Sequence, residues 1–248
     1  MSVLFVELTD GSGGSSRSLL QLLQHLPQTG FTISVALPEH NRLMKEFHKL
    51  GVRTHPLPGT APGPGPAAAA REPRGLRNSG WYRALSARRR FASQVTEPGT
   101  QLAEALRSAA PGLVYANNGL VIGARAVAAA GTLRVPVLCH ERGLQSVHSP
   151  YRRLGRTVRR FVCISHAVRA HVTRAGFGPR SEVVHNGIDL AAFHPGIAPD
   201  PELQGTGPLL VSTGRLTRWK GVHVLLDAAA RLLPRHPDLR VAIAGTGE

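Results

Sequence analysis

The chain has 248 residues, 42% of them hydrophobic, which is enough for one large domain or two smaller ones, each with a buried core. Its formal charge is +15, carried by arginine except for Lys45, Lys49 and Lys220. No run approaches the ~18 apolar residues that span a bilayer. Met1-Ser2-Val3-Leu4-Phe5-Val6-Glu7 has no basic leader, so a soluble cytoplasmic protein is the default expectation. Cys139 and Cys163 lie in apolar runs and read as buried thiols, without zinc-like spacing.

In chain order, strand and helix signals alternate. Val3 to Leu8 is an apolar strand, followed by a glycine-rich turn, Asp10-Gly11-Ser12-Gly13-Gly14-Ser15-Ser16. Leu19, Leu20, Leu22, Leu23 and Leu26 recur at helical spacing and stop at Pro27 and Gly30. A strand is expected over Phe31 to Leu37, a helix over Asn41 to Leu50 and a strand over Val52 to Leu57. Residues 58–80, rich in Pro, Gly and Ala, read as an irregular loop. Helices follow at Trp81 to Val95 and Gln101 to Ala109. Next come strand Gly112 to Ala116, helix Leu120 to Ala130 and strand Val135 to Cys139. Strand Arg160 to Ile164, helix Ser165 to Ala175 and strand Glu182 to His185 complete the first series. A proline-containing linker leads to strand Leu209 to Thr213, helix Val222 to Leu233 and strand Leu239 to Ala244.

This alternation predicts an α/β fold with a doubly wound parallel sheet, whose ligands bind beyond the strand C-terminal ends. The residues there are Gly13 and Gly14, Asn117 and Asn118, His140 and Glu141, Ser165, Asn186 and Gly187, and Arg215 with Lys220. Gly214-Arg215-Leu216-Thr217-Arg218-Trp219-Lys220-Gly221 joins a strand to a helix start. Two cations beside free helical N–H groups suit a diphosphate.

Five segments together resemble the retaining glycosyltransferases of the GT-B fold, family 4. They are Gly13-Gly14-Ser15, Val135 to Glu141, Cys163-Ile164-Ser165-His166-Ala167-Val168, Val184-His185-Asn186-Gly187-Ile188-Asp189 with Phe193 and Pro195, and Gly214-Arg215-Leu216 with Lys220-Gly221. The resemblance implies a Rossmann-like acceptor-side domain over residues 1–190, a linker over 191–207, and the start of a second Rossmann-like, donor-binding domain over 208–248. It implies transfer from a nucleotide-diphosphate-sugar to an acceptor hydroxyl with retention and without a metal or cofactor. Arg215 and Lys220 would neutralise the leaving diphosphate, with Gly13 and Gly14 approaching the same phosphate. His140 would orient a hydroxyl of the transferred sugar. Asn117, Asn118, Glu141, Ser165 and Asn186 are candidates to line the cleft; Ser165 either caps its helix or reaches ligand, and Asn186 either shapes a turn or does so.

The resemblance also implies a spaced glutamate pair beyond the segment present, so the sequence reads as a truncated form that is inactive alone. The arginine clusters, Arg71 to Arg90 and Arg152 to Arg160, favour a lipid-linked acceptor or peripheral contact with an anionic membrane. The same charge could instead reflect arginine-favouring coding bias. Two alternatives stand beside this reading. One is a sugar-phosphate or glycogen-synthase-like enzyme of the same fold. The other is a non-enzymatic nucleotide- or nucleic-acid-binding module, for which the aromatic content of 5% offers little stacking surface.

Overall fold

The computed structural model describes residues 1–26, 30–57, 80–95 and 99–247. The chain divides into two compact units, Met1–Ile188 and Asp189–Glu248.

The first unit is built on parallel strands β1 (Ser2–Val6), β2 (Thr32–Pro38), β3 (Arg53–Leu57), β4 (Leu113–Ala116), β5 (Val137–Glu141), β6 (Arg160–Cys163) and β7 (Ser181–Val183). Among the described residues they form one sheet in the order β3-β2-β1-β4-β5-β6-β7. The order reverses between β1 and β4, which makes their C-terminal ends the topological switch point.

Alternation within the strands divides the core in two. Val3 and Phe5 of β1 face one layer with Leu19 and Leu23 of helix α1 (Gly14–His25) and Phe47 of α2 (Met44–Lys49). Leu4 and Val6 face the other, with Leu102 and Leu106 of α4 (Gly99–Ala109) and Ala126, Val127 and Ala130 of α6 (Ala124–Thr132). Leu19, Leu23 and Phe47 are fully buried, each contributing about 1.5–3 kcal/mol. The near-continuous apolar strands follow from burial on both faces. Cys139 and Cys163 are buried free thiols.

Boundaries move where backbone chemistry intervenes. The helix expected over Leu120 to Ala130 is two, α5 (Gly119–Ile122) and α6. Gly123 separates them, because a Cβ there would lie 2.5 Å from the Gly119 carbonyl oxygen. α7 (Ser149–Gly155) was not read from the sequence; its short Ser-Pro start and double arginine carry little periodicity, and Tyr151 supplies its buried anchor. α8 (His166–Val172) gives way to a π-type turn, Thr173–Phe177, around Gly176 at φ +96°. The irregular loop expected at 58–80 lies outside the described residues except for Gly80, where α3 (Gly80–Val95) begins.

The second unit pairs β8 (Leu209–Thr213) in parallel with β9 (Arg240–Ala244), connected through α9 (Val222–Leu232). A short 3-10 turn, Arg218–Lys220, precedes α9.

Candidate functional site

At the switch point a buried polar cluster ties three elements together. Glu7, just past β1, has no exposed surface. Its Oε1 accepts from the Thr9 amide (2.9 Å) and hydroxyl (2.6 Å), and its Oε2 from Asn117 (2.5 Å) and Asn118 (3.3 Å). Four donors satisfy the carboxylate, which makes its burial tolerable. Asn118 Oδ1 accepts from the Leu8 amide (2.9 Å), and Asn117 also donates to the Ser15 carbonyl (3.2 Å). The two asparagines therefore turn inward and fix the start of α1 over the end of β4. Gly13 is the N-cap of α1, with extended backbone and no side-chain cap, and a Cβ on Gly14 would meet nothing within 4 Å. The helix start is open at the place the sequence argument assigns to phosphate.

His140 lies near the end of β5, on the α1 side of the sheet. Tyr115 Oη and Arg142 Nη2 both reach its Nδ1, at 2.5 and 3.1 Å. A guanidinium can only donate, so Nδ1 is the unprotonated acceptor. Burial first, and the Arg142 charge second, push the imidazole pKa down to about 3. The ring is neutral and its proton sits on Nε2, which is buried and has no hydrogen-bond partner among the described residues. Tyr115 is pushed up to about 12, chiefly by burial, and so stays a phenol that donates.

Arg142 organises the remainder. It donates to the Asn117 backbone oxygen (2.9 Å), Asn117 Oδ1 (2.7 Å), Ser18 Oγ (3.1 Å) and Asn186 Oδ1 (3.1 Å). Asn186, beyond β7, also accepts from Ser18 of α1 at 3.2 Å. The structure thus brings Gly13, Gly14, Asn117, Asn118, His140 and Asn186 to one end of the sheet.

Glu141 points to the opposite face. Its Oε1 accepts the Leu120 amide at 2.8 Å, and burial raises its pKa. Gly119, at φ +76°, makes room for it, since a Cβ there would lie 2.5 Å from Glu141 Oε2. Ser165 caps α8, accepting from the Val168 amide at 3.2 Å.

In the second unit, Arg215 and Lys220 flank Trp219, with their cationic groups 5.9 and 4.5 Å from its ring centroid. The exposed indole lets two like charges sit near one another at a helix start. Gly221, at φ +73°, is the N-cap of α9 and leaves it without a side-chain cap. Gly245 and Gly214 meet backbone to backbone at the ends of β9 and β8, an approach a Cβ on Gly245 would prevent.

Sequence reasoning missed Glu7, Tyr115, Arg142 and Trp219. Arg142 and Trp219 stand within two residues of positions it did single out. Tyr115 likewise stands two residues from Asn117, whereas Glu7 carries no such signal, because its asparagine partners are 110 and 111 residues away.

The family model for Glycosyltransferase Family 4 matches residues 12–192. The chain belongs to that family. The model for Glycosyl transferases group 1 matches residues 197–248 of this family 4 chain. No curated protein matches it. Among solved structures it is similar to Anabaena Alr3699/HepE in complex with UDP-glucose, at 17% identity and TM-score 0.67, covering 99% of this chain and 61% of that one. It is similar to the apo form of the lipopolysaccharide outer core galactosyltransferase WaaB, at 14% identity and TM-score 0.62, covering 100% and 62%. A third likeness is to UDP-GlcNAc 2-epimerase from Neisseria meningitidis bound to UDP-GlcNAc, at 14% identity and TM-score 0.55, covering 98% and 65%. The family 4 chain therefore spans about three fifths of the length of these proteins, and the likenesses establish its Rossmann-like, GT-B-type fold.

Proposed function

We propose that the protein transfers a hexosyl group from a nucleoside-diphosphate-sugar to an acceptor hydroxyl, with retention. The observation that carries this reading is the orphaned Nε2–H of His140. A buried donor without a partner is costly, and a sugar hydroxyl oxygen would satisfy it. The imidazole stays neutral across the working pH range, so it orients and polarises that hydroxyl rather than taking a proton. Tyr115 and Arg142 hold the required tautomer.

Arg215 and Lys220 are assigned the charge that develops on the departing diphosphate, the role a metal ion plays in other transferases. Backbone N–H groups at the open start of α9 add partial positive charge beside these two cations. The C1–O bond to the diphosphate breaks and the C1–O bond to the acceptor forms on the same face of the ring, while the acceptor hydroxyl's proton passes to the oxygen of the departing diphosphate. The UDP-glucose and UDP-GlcNAc complexes of the structural relatives support a uridine nucleotide as the first donor to try.

The acceptor is proposed to be a sugar or lipid-linked hydroxyl. Peripheral contact with an anionic membrane is proposed through the exposed Arg88, Arg89, Arg90, Arg152 and Arg153. Arg71, Arg74 and Arg77 lie outside the described residues. Among the described residues, no helix is long and apolar enough to cross a membrane.

The test is nucleotide release and product anomer, measured with UDP-sugars and EDTA. Lys220→Ala should lower kcat by about 10²-fold or more. Wild-type turnover in that variant, inversion at C1, or loss of activity with EDTA would each remove the corresponding part of the reading.

A further inference from the structure

Outside the site described above, the first unit carries an open basin of about 350 Å³ lined by Arg156, Thr157, Arg159, Arg160, Pro179 and Arg180. It lies at the other end of the sheet from His140. Arg160 opens β6 and Arg180 stands immediately before β7, so the basin borders the N-terminal ends of two neighbouring strands.

Arg180 is fixed in place. Its Nη1 donates to the carbonyls of Arg156 (3.0 Å) and Val158 (2.5 Å), its Nη2 to that of Gly155 (3.4 Å), and its guanidinium lies 5.6 Å from the Phe177 ring centroid. Those bonds cover carbonyls at the C-terminal end of α7, which would otherwise repel an anion. They also leave two of the five guanidinium N–H groups for a ligand. Arg156, Arg159 and Arg160 are exposed around it. Among the described residues no carboxylate pairs with any of the four, and Glu182 on β7 forms no ion pair with them. Four cations gathered around one concavity repel one another, and a multiply charged oxyanion would relieve that repulsion while accepting bidentate hydrogen bonds.

We propose that this basin binds a compact phosphate-bearing anion, either the phosphate of a soluble metabolite or that of a lipid headgroup. Titration with inorganic pyrophosphate tests the first source. Co-sedimentation with phosphatidylglycerol vesicles, against phosphatidylcholine vesicles, tests the second. Both are run on the full chain in an Arg215→Ala/Lys220→Ala background, which removes the donor cradle as a competing diphosphate site. Failure of this inference is then separable from failure of the proposed transferase.

The informative variant is Arg156→Gln/Arg159→Gln/Arg160→Gln, and the equal-charge control is Arg107→Gln/Arg231→Gln/Arg235→Gln, at exposed positions that belong neither to the basin nor to the proposed membrane face, with folding checked by circular dichroism. The basin variant should lose at least ~tenfold in affinity for pyrophosphate, for phosphatidylglycerol vesicles, or for both, while the control changes by less than about twofold. Binding of pyrophosphate identifies a soluble ligand, and binding of vesicles alone identifies a headgroup. Failure of both probes, wild-type affinity in the basin variant, or an equal loss in the control would overturn the proposal.

Discussion

His140 shows how much one side chain's chemistry depends on its neighbours. In water an imidazole titrates near 6.5; here burial and the Arg142 charge hold it at about 3. The unfolded chain therefore takes up a proton that the folded chain refuses. Above about pH 6.5 this group leaves stability unchanged. As pH falls from there towards about 3, it removes up to ~1.4 kcal/mol per unit, a loss that His140→Gln should lessen in urea titrations. For the same reason the kcat profile should show no inflection from His140 between pH 5 and 8, and His140→Ala should lower kcat by about 10²-fold at every pH in that range. Arg142 binds three elements, through Asn117, Ser18 and Asn186. Its replacement by Ala takes a donor from each of them, leaving Asn186 only its Ser18 bond, and is expected to cost about 2–4 kcal/mol in denaturant unfolding.

At the level of elements, two glycines at helix starts should behave oppositely. Gly14→Ala places a methyl group in open space inside α1, so stability should hold or rise by up to ~1 kcal/mol. If the start of α1 meets the donor phosphate, the same methyl raises the donor KM; unchanged KM would separate this helix from the donor. Gly119→Ala meets both a positive φ and the Glu141 carboxylate, and should destabilise by about 1–3 kcal/mol. The alternation of apolar runs was enough to place the strands of both units and most of the helices, because burial on both faces leaves a continuous signal. It did not place α7 or the break at Gly123. A seven-residue helix has too few turns for a period, and the break is set by a contact between Gly123 and the Gly119 carbonyl.

For the whole molecule, the segment following the first unit offers a direct check on the division at Ile188. Residues 185–202 are all exposed, none is lysine or arginine, and Leu190 and Phe193 stand out at 71% and 63% exposure. Limited chymotrypsin digestion should cut there first and release a first unit that retains its sheet, seen as a protected fragment of residues 1 to about 193. Early cleavage inside β4 or β5 would contradict a first unit with its own core. The net charge of +15 adds a long-range field, so anion binding should weaken as salt shortens the Debye length from ~10 Å at 0.1 M.

The sequence by itself determined the parallel α/β fold, the family 4 membership carried by five separated motifs, and the position of candidate residues just after strands. Those are written locally, in apolar period, glycine placement and motif spacing. Only the tertiary structure decided what the residues do to one another. It turned Asn117 and Asn118 inward onto Glu7, sent Glu141 to the far face, and gave His140 its tautomer through Tyr115 and Arg142. The physical reason is that hydrogen-bond partners and dielectric environment come from strands and helices far apart along the chain, and no local pattern records which of them will meet.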